Sequence, residues 1–62
     1  MAGSILNGKK ILVVDDEEDV LELLEEEINH AANCKVEKAT SYEDAAKLLE
    51  SNYFDVVILD IM

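Results

Sequence analysis

The sequence has no proline, a single cysteine and no long apolar segment, and these features limit the classes of protein to which the chain can belong. Cys34 has no partner for an internal disulfide, and we expect it to be a small buried residue in a reducing compartment. No apolar run approaches the roughly 18 residues that span a bilayer. The N-terminus also lacks the basic and apolar segments of a secretory signal. We therefore expect a soluble, cytoplasmic protein with no membrane association.

Basic residues are few as well, with five against fifteen acidic ones and a net charge of −10. Because nucleic acids and anionic membranes repel such a surface, this segment is not expected to bind either of them. The negative charge favours the binding of metal ions and of cationic partners instead.

The chain has 62 residues, half of them apolar, which is enough for one small domain. Domains of this size bury only about 60% of the surface of the unfolded chain. They usually need a metal, a disulfide or a partner subunit for stability. Residues 1–8 show no periodicity and are interpreted as a flexible leader without function, so the domain covers residues 9–62.

Two short apolar runs predict strands that are buried on both faces. The first is residues 11–14 within the segment 9–16, and the second is residues 56–59 within the segment 55–62. Residues 34–39 alternate weakly between apolar and polar, which is typical of a strand with one exposed side.

Between these strands the apolar residues follow a helical period. Val20, Leu24 and Ile28 are four residues apart, which predicts an amphipathic helix over residues 16–32. Asn33 is a candidate left-handed terminator for it. Ser41 and Asp44 resemble a capping box that begins a second helix.

The order strand, helix, strand, helix, strand predicts an α/β fold with a parallel sheet. The two apolar strands should be central and the weakly alternating one at the edge, which gives the spatial order 2-1-3. Right-handed connections then place the two helices on opposite faces of the sheet. In such sheets a ligand site lies beyond the carboxyl ends of the strands, where the direction of winding reverses.

The sequence places three acids at that position, Asp15 and Asp16 after the first strand and Asp60 after the third. Unit charges about 4 Å apart interact by roughly 4 kcal/mol at an effective dielectric of 20, so three carboxylates require a cation or raised pKa values. Magnesium, which takes one or two carboxylates and keeps several waters, suits a shallow open site of this kind.

The segments ILVVDDEEDV, Ala39-Thr40-Ser41 and DVVILDIM resemble the receiver domain of two-component response regulators. The resemblance covers residues 9–62 and implies a truncated flavodoxin-like (CheY-like) fold. It implies that Asp60 accepts a phosphoryl group from a sensor histidine kinase, and that Asp15, Asp16, Asp60 and the backbone carbonyl of Met62 bind Mg²⁺. It also implies a signalling module rather than an enzyme, with little activity expected of this segment by itself.

The family's fourth and fifth strands, with their phosphoryl-contacting hydroxyl and lysine, have no counterpart in these residues. Lys38 and Lys47 are not expected to substitute, because one lies on the edge strand and the other within a helix. The third strand then becomes an exposed edge, which favours pairing with another chain. We expect a homodimer, with two-fold symmetry, through the third strands or the uncovered helix faces.

Other interpretations of the acids are open from the sequence. Asp15 and Asp16 are also typical of a helix N-cap and first turn. The segment from Asp15 to Glu26 superficially resembles a calcium loop, although its apolar residues favour a helix. An enzyme of the haloacid-dehalogenase kind also uses an aspartate after a strand, but there a second Asp follows two residues later, where this sequence has Met62. A last alternative is an acidic half-domain whose function is association alone.

Overall fold

A computed structural model describes residues 5–59, and its three strands and two helices alternate along the chain. The elements are β1 (Lys10–Val14), α1 (Glu18–Ala31), β2 (Lys35–Ala39), α2 (Tyr42–Ser51) and β3 (Val56–Leu59). The strands form one parallel sheet in the order β2-β1-β3. The predicted α/β class and strand order are confirmed.

The central strand β1 is the most buried element, because it pairs on both sides and is covered on both faces. Four consecutive side chains, residues 11–14, are at most 1% exposed. Full burial of a Val, Leu or Ile side chain contributes about 1.5–3 kcal/mol, so β1 supplies much of the stabilisation available to so small a domain.

Side chains of β1 alternate between two separate hydrophobic clusters. Leu12 and Val14 pack with Ala45 of α2, and Leu48 and Phe54 complete that face. On the opposite face, Ile11 and Val13 pack with Leu21 of α1, and Ile28 and Val36 lie against them. The helices therefore lie on opposite faces of the sheet, as predicted.

The helix α1 begins at Glu18, two residues later than the sequence pattern indicates. The delay has a local cause, since the backbone N–H of Glu17 donates to Asp15 Oδ1 at 2.8 Å and holds the preceding residues in a turn. At the other end the helix stops at an extended residue, Ala32 (φ −153°, ψ 156°).

The prediction that Asn33 terminates α1 in a left-handed conformation is wrong, because no non-glycine residue in the described part of the chain has a positive φ. Asn33 is held instead by the N-terminal turn. Its N–H donates to Asn7 Oδ1 and its carbonyl accepts from the Gly8 N–H, both at 2.8 Å. Gly8 has φ 77°, a conformation that glycine adopts without a steric penalty.

The strand β3 differs from its predicted burial. Val56 and Ile58 pack against the cluster on the α1 face, but on the α2 face Val57 is 42% and Leu59 58% exposed. The cause is the position of α2, which packs over β2 and β1 and does not extend across β3. The expectation that this strand is buried on both faces is therefore wrong.

The helix α2 has the predicted cap, since the N–H of Asp44 donates to Ser41 Oγ at 3.1 Å. In a full capping box the side chain at the third helical position also accepts from the backbone N–H of the N-cap residue. Here Asp44 Oδ2 accepts instead from the hydroxyl of Thr40 at 3.4 Å. We expect Ser41→Ala to lower the free energy of unfolding by about 1 kcal/mol, since it removes the acceptor for an end-of-helix N–H.

Urea denaturation at fixed protein concentration measures this effect as a lower midpoint with an unchanged slope. Ser41→Asp is the matched control, because aspartate is an equally good N-cap acceptor. An unchanged midpoint in Ser41→Ala would show that the cap contributes nothing to stability.

Candidate functional site

The candidate site lies at the carboxyl end of the sheet, where Asp15 directly follows β1. Its N–H donates to the carbonyl of Ala39 at 3.1 Å, which continues the pairing of β1 with β2. The last residue of β1, Val14, is paired with Ala39 on one side and Leu59 on the other. Asp15 therefore occupies the predicted edge of the sheet, between the ends of its two neighbouring strands.

The side chain of Asp15 is only 5% exposed and is the one buried charged side chain among residues 5–59. One oxygen, Oδ1, accepts the N–H of Glu17. The other oxygen, Oδ2, makes no hydrogen bond to any described residue. No fully buried side-chain oxygen among residues 5–59 lacks a hydrogen-bond partner. Asp15 thus orders the turn before α1 through Oδ1.

Asp16 is exposed and makes no side-chain hydrogen bond to any described residue. The residue at the N-cap of α1 is Glu17, and its side chain makes no capping bond. The interpretation of Asp16 as a helix cap is therefore wrong.

Two predicted site residues, Asp60 and Met62, lie outside the described residues. The last described residue, Leu59, is the sequence neighbour of Asp60 and the pairing partner of Val14, whose own sequence neighbour is Asp15. Within residues 5–59 no group of three or more potential metal ligands occurs. Asp15 and Asp16 together offer carboxylate oxygens, the donors that Mg²⁺ prefers.

The lysines are directed elsewhere. Lys38 forms an ion pair with Glu25 of α1 at 2.8 Å, and together with Glu18, Leu21, Glu22 and Thr40 it lines a shallow pocket beside that helix. The hydrogen bond to the Glu25 carboxylate raises the pKa of Lys38 above its usual value. Lys47 is exposed on α2. Neither makes a hydrogen bond to the Asp15 carboxylate among the described residues.

The calcium-loop alternative is excluded by the backbone. Residues from Glu18 onward, which include Glu26, are part of the regular helix α1 and not of a ligand-wrapping loop. The bond between Asp15 and the Glu17 N–H was not predicted from the sequence, although an Asp three residues before a helix is a recognisable signal for such a turn.

None of the helices in residues 5–59 is of a length and apolarity that would carry it across a membrane. Searches among curated proteins and among solved structures returned no significant match. A comparison with protein-family models matches residues 11–62 to the response regulator receiver domain. Since this match extends over most of the sequence, the chain belongs to the response regulator receiver domain family, the signalling modules of two-component systems.

Proposed function

We propose that the chain accepts a phosphoryl group on Asp60 from a sensor histidine kinase in the cytoplasm. The observation that carries the proposal is the pairing of Val14 with Leu59, because the residues that follow them in the sequence are Asp15 and Asp60. The ends of two parallel strands at a switch point are where such sheets bind ligands. The family match supports the same assignment.

In the proposed reaction a carboxylate oxygen of Asp60 attacks the phosphorus of a phosphohistidine. The P–N bond breaks, its electron pair returns to the imidazole nitrogen, and an acyl phosphate forms on Asp60. A carboxylate is a weak nucleophile toward a polyanionic group, so the charge at this edge must be offset. Bound Mg²⁺ supplies that charge compensation.

Asp15 and Asp16, with Asp60 and the carbonyl of Met62, are the proposed magnesium ligands. Asp15 is suited to the part because the Glu17 N–H fixes its carboxylate and leaves Oδ2 available. Asp16 is exposed at the same edge, where it binds the ion directly or through water. The net charge of −10 also favours cation binding and disfavours nucleic acid and anionic membranes as partners.

The test is incubation of the 62-residue chain with Mg²⁺ and a small-molecule phosphodonor, followed by intact-mass analysis. We expect one added phosphoryl group in the unmodified chain, none in Asp60→Asn and none when the Mg²⁺ is chelated. Asp55→Asn is the matched control, because Asp55 lies just before β3 and asparagine keeps the acceptor for the Lys10 N–H.

A more sensitive version adds beryllium fluoride with Mg²⁺ and follows backbone amides by NMR. Chemical-shift changes at Asp15 and Leu59 are expected, and Asp60→Asn should abolish them. Phosphorylation or beryllium fluoride shifts that persist in Asp60→Asn would refute the assignment of the acceptor.

A second activity is favoured by a separate observation, the exposed apolar side chains of Val57 and Leu59 on β3. We propose that this 62-residue chain also self-associates, as a homodimer, through that strand. Sedimentation velocity over a range of concentrations is the direct measurement, and a monomer at all of them would refute self-association without affecting the assignment of Asp60.

A further inference from the structure

Three of the chain's five basic residues lie together at the amino end of the sheet, which is the end opposite to Asp15. Lys9 directly precedes β1, and Lys10 and Lys35 are the first residues of β1 and β2. We propose that these three lysines, the basic cluster, bind a short acidic segment of a partner polypeptide. The proposed site is separate from the phosphotransfer site and does not depend on it.

The charges of Lys9 and Lys35 are not neutralised within the described part of the chain. Both side chains are exposed, and neither makes a hydrogen bond to any of residues 5–59. The one ion pair among those residues joins Lys38 to Glu25, at a distance from the basic cluster. Two positive charges are therefore available to a ligand, although the chain as a whole is strongly acidic.

The third lysine, Lys10, is held in place by neutral groups. Its ammonium donates to Asn52 Oδ1 at 3.1 Å and lies 5.1 Å from the centre of the Phe54 ring. The carboxylate of Asp55 accepts the backbone N–H of Lys10 at 2.9 Å, and not its ammonium. Lys10 thus contributes a positioned charge that the described residues leave without an ion-pair partner.

The arrangement of Lys10 and Lys35 is unfavourable in the absence of an anion. The two residues are pairing partners on neighbouring strands, so their side chains project from the same face of the sheet. Neighbouring strands are about 4.8 Å apart, and like charges directly opposite each other destabilise a sheet. An anionic group bound between them offsets this repulsion, which favours a negatively charged ligand.

The directions of the side chains indicate the shape of that ligand. Lys10 is two residues before Leu12 and projects on the α2 face, whereas Lys9 is two residues before Ile11 and projects on the α1 face. A lysine ammonium acts as a point charge on a flexible stem. Charges on both sides of the strand ends suit several separate carboxylates, as in an acidic peptide, better than one compact ion.

An open groove of about 570 Å³ at the same end provides room for such a segment. A long polyanion is disfavoured, because the net charge of −10 repels nucleic acids and anionic membranes from the remaining surface. A short acidic segment meets only the groove. The residues that line it are Gly8, Lys9, Lys10, Asn33, Cys34 and Lys35.

Cys34 is the single thiol of the chain and reports on occupancy of the groove. The probe is a capped oligoglutamate peptide, and an oligoglutamine peptide of equal length is its neutral control. We expect oligoglutamate to slow alkylation of Cys34 by iodoacetamide several-fold and to shift the NMR amide signals of Lys9 and Lys35. The effect should disappear between about 0.1 and 1 M salt, where the screening length falls from about 10 to 3 Å.

Substitution of the lysines tests whether they form the site. Lys9→Gln and Lys35→Gln should each weaken oligoglutamate binding by about 1.5- to 5-fold, the range for one exposed ion pair. Lys47→Gln is the matched control, because it removes the same charge from an exposed position on α2 and should bind normally. Circular dichroism should show all three variants folded, since each substituted side chain is exposed.

Four results would overturn the proposal. Equal weakening by Lys47→Gln would mean that overall charge, and not the basic cluster, attracts the peptide. Protection of Cys34 by inorganic phosphate at the same concentration would make a compact ion the ligand. Concentration-dependent shifts of the same amides without peptide would assign the groove to a second copy of the chain, and no shift at all would exclude a site. Phosphorylation of Asp60 is measured separately by mass.

Discussion

Leu12→Ala is expected to unfold the chain at room temperature. Leu12 is fully buried in the central strand, where it packs in the cluster on the α2 face. Truncation of a buried leucine costs about 2–5 kcal/mol, because apolar contacts are lost and a cavity remains. A single core of this size rarely supplies more than about 3–5 kcal/mol in total, so the loss is of the same size as the entire stability.

Far-ultraviolet circular dichroism with urea denaturation measures the effect, at one protein concentration for all variants because association adds to stability. Leu23→Ala is the matched control, since Leu23 is 59% exposed on α1 and its truncation should change stability by under about 0.5 kcal/mol. If the two variants were equally stable, β1 would not be the centre of the core.

The second large effect concerns Asp15, whose structural role and proposed metal-binding role can be tested separately. Asp15→Asn keeps an oxygen that accepts the Glu17 N–H but removes the negative charge. We expect Mg²⁺ affinity to fall by about 10- to 100-fold or more, the range found even for groups that only orient a metal ligand. Without Mg²⁺ the stability should be unchanged or higher, because a buried charge beside Asp16 is removed.

Asp15→Ala removes the acceptor as well, and should lose about 0.5–1.5 kcal/mol of stability in addition to the metal affinity. Mg²⁺ titration monitored by NMR amide shifts measures the first quantity and urea denaturation the second. Asp19→Asn is the charge-matched control, an exposed acid in the first turn of α1 that should bind Mg²⁺ normally. Equal affinity in Asp15→Asn and Asp19→Asn would mean that Asp15 does not bind the metal.

The sequence was sufficient for the architecture because its local signals agree with one another. The four apolar residues of β1, the spacing of Val20, Leu24 and Ile28, and the Ser41 cap each indicate one type of element. Strand order and helix placement then follow from burial and from the right-handed crossover rule. The positions of Asp15 and Asp16 at the carboxyl edge follow from the same reasoning.

What sequence reasoning missed depends on contacts between distant segments. The Asn33 loop is fixed by Asn7 and Gly8, more than twenty residues earlier, so helix-end statistics gave the wrong terminator. The exposure of Val57 and Leu59 depends on how far α2 extends over the sheet, which no local pattern records. Asp60 and Met62 lie outside the described residues, so their part of the site remains a prediction.

The central position of β1 also sets an order of assembly. The chain between β1 and β2 contains one helix, whereas the chain that closes when β3 pairs with β1 is nearly twice as long. This longer loop has a higher entropic cost, although each doubling of loop length adds only about 0.6 kcal/mol. Among the described elements β3 has only β1 as a neighbouring strand and no cover from α2, so we expect it to be the last of them to join and the first to detach. Local opening costs less than global unfolding, so the strand that leads to Asp60 can detach briefly while the turn around Asp15 stays folded.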